Sequence, residues 1–160
     1  MLNQSFQFNT IISGVLGFGS SKSDVLVYFE SNVYSAGDTV KLHIDANNSE
    51  CKSGIKSFKI KLQRKIFGMT PEESYIASEY VKCSKSQEGV PANQKASMTV
   101  NVKIPKFNSE LEVYNGLPNY LCSSFHGAAV SVQYYLRFFI KYQGLTQTGE
   151  GHCITMPIWI

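Results

Sequence analysis

No two of the four cysteines, Cys51, Cys83, Cys122 and Cys153, are spaced as a CxxC pair. That removes the zinc ribbon and the thioredoxin-type redox motif from consideration. Two disulfides remain arithmetically open, but wide spacing and a reducing compartment favour free, metal-free thiols buried as small hydrophobes. Long apolar runs are also missing. The most apolar stretch, TIISGVLGFG at residues 10–19, is far shorter than the roughly 20 residues of a membrane span. No basic region precedes it, which argues against a secretory signal and makes the cytosol the default compartment. The two N-x-S matches, at Asn3 and Asn47, carry little weight without secretion. Charge of one sign is scarce too. A formal net charge of +3 is too mild for a general nucleic-acid binder.

What is present is apolar–polar alternation. The 160 residues make one domain of common size, long enough to bury about 70% of the extended chain's surface. Period-two patterning begins at Asp24 and predicts strands over residues 24–30, 40–46, 58–67, 75–83, 96–104, 130–140 and 152–160. The first has apolar residues on both faces, and the fourth is weakly patterned. Val40, Leu42, Ile44 and Ala46 alternate with Lys41, His43 and Asp45, which marks a half-buried strand. The turn signal at Ser35-Ala36-Gly37-Asp38 precedes it. Val100, Val102, Val132, Tyr134, Leu136 and Phe138 are the predicted core. Residues 84–94 read as a turn-rich connection and residues 107–126 as a long irregular one. Pro157 places the last strand at an edge or a bulge. No helical period is present, and the fold expected is an all-β antiparallel β-sandwich of about seven strands. Residues 1–23 form a flexible or extended lead-in, and residues 24–160 the sandwich.

Catalytic patterns fail one by one. GVLGFGSSK at residues 14–22 suggests a phosphate loop, but Ser20 stands where the lysine belongs and a strand follows instead of a helix. In CSSFHG, His126 lies near Cys122, Ser123 and Ser124, yet no acid partner or nucleophile elbow accompanies them. Cys122, His126, His152 and Cys153 carry the right atoms for zinc. Adjacent strand residues such as His152 and Cys153 point to opposite faces, so they do not share one metal. Glu72-Glu73 reads as a solvated loop. These patterns indicate no enzyme, cofactor or metal.

One charge pattern does stand out. Six of the fifteen basic residues, Lys52, Lys56, Lys59, Lys61, Arg64 and Lys65, fall in one short stretch, leaving nine to set against twelve acidic ones. Lys59, Lys61 and Lys65 share strand parity and hence one outer face. They are the candidate docking residues for acidic or phosphorylated tails or for anionic lipid headgroups; the competing reading is a solvated, edge-guarding face.

VYSAGDTVKLHIDANNSECKSGIKSFKIKLQRKI, residues 33–66, resembles the start of an arrestin C-terminal domain. Tyr34 and Gly37 stand in a Tyr-x-x-Gly turn. Val40, Asn48, Ser49, Ile55, Ile60 and Leu62 fall where that pattern would put them. The Gly127-Ala128-Ala129 segment leading into VSVQYYLRFFIKY, and the closing MPIWI, are similar to the family's later strands. The likeness spans about residues 25–160, and its motifs are structural. It implies two packed antiparallel sheets and a second such domain in the full-length protein. The implied role is a cytosolic adaptor for membrane-protein tails or trafficking proteins, in the cytoplasm or peripheral to endosomal or plasma membranes. The retromer's arrestin-fold subunit is a related candidate. No PPxY motif is found among the five prolines, so a ligase-recruiting role is not indicated. The alternative is an extracellular Ig-like adhesion module.

Overall fold

The structure is a computed structural model that describes residues 4–13, 20–70, 73–105, 121, 123–144 and 152–160. Its elements among those residues are nine strands: β1 (Gln4–Ser13), β2 (Ser20–Phe29), β3 (Thr39–Glu50), β4 (Ile55–Met69), β5 (Ser74–Glu88), β6 (Lys95–Lys103), β7 (Phe125–His126), β8 (Val130–Tyr142) and β9 (His152–Ile158). They form two antiparallel sheets. One has the order β1-β2-β3-β6; the other runs β5-β4-β8, with β7 and β9 both pairing the far side of β8.

Alternation dictates the core. Val25, Val27 and Phe29 of β2, Val40, Leu42, Ile44 and Ala46 of β3, and Val100 and Val102 of β6 are buried. They meet Phe58, Ile60 and Leu62 of β4, Val132, Tyr134, Leu136, Phe138 and Ile140 of β8, and Met156 of β9 in one cluster. All six residues of the expected core are therefore inside. Each large apolar side chain so buried contributes roughly 1.5–3 kcal/mol of transfer free energy. The Phe58 and Phe138 rings stack across the strand pair with centroids 5.3 Å apart.

The turn before β3 closes as its residues require. Asp38 N–H donates to the Ser35 carbonyl at 3.0 Å, and Ser35 N–H donates to the Asp38 carboxylate at 2.7 Å. Gly37 has φ 94°, which a side chain would strain. The turn is tied to the end of β6 by Ile104 N–H donating to the Asp38 carbonyl at 2.9 Å.

Residues 4–13, read as part of a flexible or extended lead-in, are extended as β1 and pair with β2 from Gln4↔Phe29 to Ser13↔Ser20. Three features differ from the sequence expectation. β2 begins at Ser20, not Asp24. β5 continues to Glu88 through what reads locally as a connection, because the register slips between Lys61 and Gln63 of β4 and leaves extra β5 residues opposite Leu62. Of the long connection, residues 106–120 and Cys122 lie outside the described set, and Phe125–His126 supplies β7. Pro157 does sit on an outer strand, opposite Tyr135. The glycine-rich residues 14–19 lie outside the described residues, while Lys22 is within β2 and paired with Asp24 at 3.2 Å.

Candidate docking face

The outer surface of the β5-β4-β8-β9 sheet is set by register. β4 and β8 pair without a break from Ser57↔Lys141 to Gly68↔Val130. Odd-numbered residues of both strands therefore share the solvent side. Lys59 lies opposite Phe139, Lys61 opposite Arg137, Gln63 opposite Tyr135, and Lys65 opposite Gln133. β5 adds Ser78 and Tyr80, and β9 adds Cys153 and Thr155. The three lysines expected on one face are on it.

Their environments differ. Lys59 is exposed, whereas Lys61 and Lys65 are half-buried against aromatic rings. Lys61 Nζ lies 4.3 Å from the Tyr80 ring centroid and 5.6 Å from that of Phe139. Lys65 Nζ lies 5.2 Å from the Tyr135 ring, and the Arg137 guanidinium 5.5 Å from Phe139. Such contacts contribute about 0.5–1 kcal/mol each at exposed sites, and they hold the ammonium groups over the sheet. Arg64 has the opposite parity and is buried, so it does not contribute to this face.

Beneath the cations runs a hydrogen-bonded row that crosses four strands. Gln63 is only 6% exposed. Its Nε2 donates to Ser78 Oγ at 2.7 Å, and its Oε1 accepts from Arg137 Nη1 at 3.1 Å. Arg137 Nε donates to Cys153 Sγ at 3.1 Å. The row fixes the guanidinium, a geometry suited to carboxylate or phosphate. Tyr135 donates its hydroxyl proton to Gln133 Oε1 on the same strand.

Lys61 and Arg137 are direct cross-strand neighbours. By register, the described carboxylate on this surface is Glu88, opposite Ser57 at the far end. Sequence parity could reveal the three lysines and Arg137 as outward-facing. It could not reveal the pairing of Lys61 with Arg137, the burial of Gln63, or the rings of Tyr80, Tyr135 and Phe139, since register is a long-range property.

The other candidates fall partly outside the described residues. Ser124 Oγ accepts from Ile160 N–H at 3.0 Å, and His126 is exposed in β7. Of the set imagined for zinc, Cys122 and the side chain of His152 lie outside what the structure describes. Among the described residues no three His, Cys, Asp or Glu side chains are grouped to hold a metal. Cys51, Cys83 and Cys153 are free; Cys51 is buried, while the other two are only half-buried. Burial pushes the Cys83 thiol up, and it donates to the Lys103 carbonyl at 3.0 Å, so it is a poor nucleophile. No described helix is long and apolar enough to cross a membrane.

Comparison with curated proteins returns no match. The family model for the arrestin (or S-antigen) C-terminal domain matches residues 20–160, from the first residue of β2 to the end of the chain. A match of that extent, on two antiparallel sheets in this order, shows that the chain belongs to the arrestin family as a C-terminal domain.

Proposed function

We propose that this domain is a non-enzymatic adaptor that holds acidic or phosphorylated cytoplasmic tails of membrane proteins on the outer face of β4 and β8. It works in the cytoplasm, at the surface of endosomal or plasma membranes, beside a second arrestin-like domain of the full-length protein. The family supports an adaptor role in general. The observation that carries the tail-binding reading is the register that puts Lys59, Lys61 and Lys65 on one outer face, with Arg137 opposite Lys61.

The test replaces Lys59, Lys61 and Lys65 together with glutamine. Exposed ion pairs contribute about 0.2–1 kcal/mol each, so a phosphoserine-rich peptide should bind roughly tenfold more weakly at low ionic strength. Thermal stability should hardly change, because the substitutions remove mutual repulsion along with the cation–ring contacts. Equal binding by variant and parent would sink the reading. Binding to phosphatidylserine vesicles without binding to peptide would reassign the face to a membrane surface.

A further inference from the structure

The outer face of β4 does not end at Lys65. Two residues further along, Phe67 lies between Ile76 of β5 and Ser131 of β8, and Met69 pairs with Ser74 at the end of β4. On the far side of Ser131, β7 places His126 on the same face. These side chains have the parity of the lysines. With the turn at residues 127–129 they line a cavity of about 470 Å³, within the roughly 300–1,000 Å³ typical of ligand pockets. Its apolar wall is open to water: Ile76 is 66% exposed, Met69 is 63% exposed, and Phe67 is half-buried. The rim is held by backbone bonds. Met69 N–H donates to the Ala129 carbonyl at 2.7 Å, and Gly127 N–H donates to the Val130 carbonyl at 2.9 Å. Neighbouring apolar side chains left in water around a formed cavity are a mark of a binding site.

We infer that this cavity takes a bulky apolar side chain of the same tail whose acidic or phosphorylated residues meet Lys59, Lys61 and Lys65. The inference rests on the tail-binding reading above and adds an apolar anchor to it. Continuity of the face selects this occupant. Gln133 lines the cavity and is the cross-strand partner of Lys65, so the apolar end of the face adjoins its cationic part directly. A purely acidic ligand leaves Ile76 and Met69 in water, and a purely apolar one makes no use of the cations; a segment with both covers the whole face. Burying such apolar surface supplies affinity, while the cations fix which way the segment lies. Spacing follows from the strand. At about 3.3 Å per residue, Phe67 stands roughly 7 Å along β4 from Lys65 and roughly 20 Å from Lys61. An extended tail lying along β4 therefore carries its apolar residue two to six positions from its acidic ones.

Three capped, fluorescently labelled peptides serve as probes at low ionic strength. The first carries a run of phosphoserines and a leucine four positions beyond it. The second has alanine in place of that leucine, and the third has the leucine twelve positions away. Each is titrated by anisotropy with the wild-type protein and with a Met69→Gln, Ile76→Gln double variant, whose two sites are exposed and whose melting temperature is checked. The first peptide should bind the wild-type protein about tenfold or more tightly than the other two. The double variant should bind all three alike, at the level of the alanine peptide. Equal binding of the three by wild type, or a double variant that keeps the preference, overturns the inference and leaves the tail-binding reading standing. If no peptide binds, both fall. Peptide-free protein whose mass doubles on sedimentation, while the double variant stays single, assigns the cavity to a second copy and overturns the inference. Binding to phosphatidylcholine vesicles that the double variant loses, with no preference among the peptides, assigns it to a membrane and overturns it too.

Discussion

Asn48 offers a severe test of how the two ends of the core are tied. It sits in β3 where the register with β2 slips between Lys22 and Asp24, and its side chain is fully buried. Nδ2 donates to the carbonyls of Ser53 at 3.0 Å and Pro91 at 3.1 Å. One amide thereby clamps the β3–β4 turn to the β5–β6 turn. Replacing Asn48 with alanine removes both bonds, each contributing about 1 kcal/mol net, and strands two carbonyls. The expected loss is about 2–4 kcal/mol. Asn48→Asp is nearly isosteric but should be worse, about 3–5 kcal/mol, because an acceptor then faces two carbonyls as a buried charge. The asparagine Oδ1 has no described donor that could rescue it. Burial without a donor raises the new carboxyl above its ordinary value of about 3.9. The aspartate variant is thus least impaired below that value and loses stability as pH rises through its folded pKa. Urea unfolding at several pH values reads both effects, as shifts in midpoint at constant slope. An alanine variant that loses under about 0.5 kcal/mol, or an aspartate variant no worse than alanine at neutral pH, refutes the clamp.

Two further perturbations probe the turns. A Cβ on Gly89 would stand 2.1 Å from the Ile55 carbonyl oxygen, next to the bond from Ile55 N–H to the Val90 carbonyl at 2.8 Å. Gly89→Ala should therefore cost about 1–3 kcal/mol, and an unchanged melting temperature would contradict that packing. Burial first, and the nearby Glu30 second, push the Tyr34 hydroxyl up to about 12 from 10.0. The stability this lends is full below about 10 and is lost as pH rises through about 12. The stability difference between parent and Tyr34→Phe should accordingly be flat below pH 10 and fall above it; parallel curves would exclude the effect.

The sandwich was legible because its inner strands obey a two-residue period under strong burial. Val40 to Ala46 and Val132 to Ile140 are sorted by one face that must avoid water, so parity alone identifies them. Where a strand buries little, the signal vanishes. Among the described side chains of β5, Val81 is the one fully buried apolar residue, so neither its length nor its slip shows in the pattern. β7 has two residues, both exposed. The candidate face was half legible for a related reason. Parity put Lys59, Lys61 and Lys65 together, but Arg137 and the three rings join them through register with β5 and β8, which no local window contains.

The position of β4 bears on one explanation of its lysines, edge protection. Lysine on an open edge deters pairing with other chains, and that would suffice if β4 were an edge strand. It is instead the interior partner of β5 and β8 over nearly its whole length. Edge protection has no purpose there, while β5, the strand that does need it, carries no lysine from Ser74 to Tyr80. Solubility alone would be served as well by mixed charges, which also avoid cross-strand repulsion. Lys61 is held by the Tyr80 and Phe139 rings and Arg137 by Gln63. The proposed function gives these fixed cations a use: they meet an acidic or phosphorylated tail without first having to be ordered.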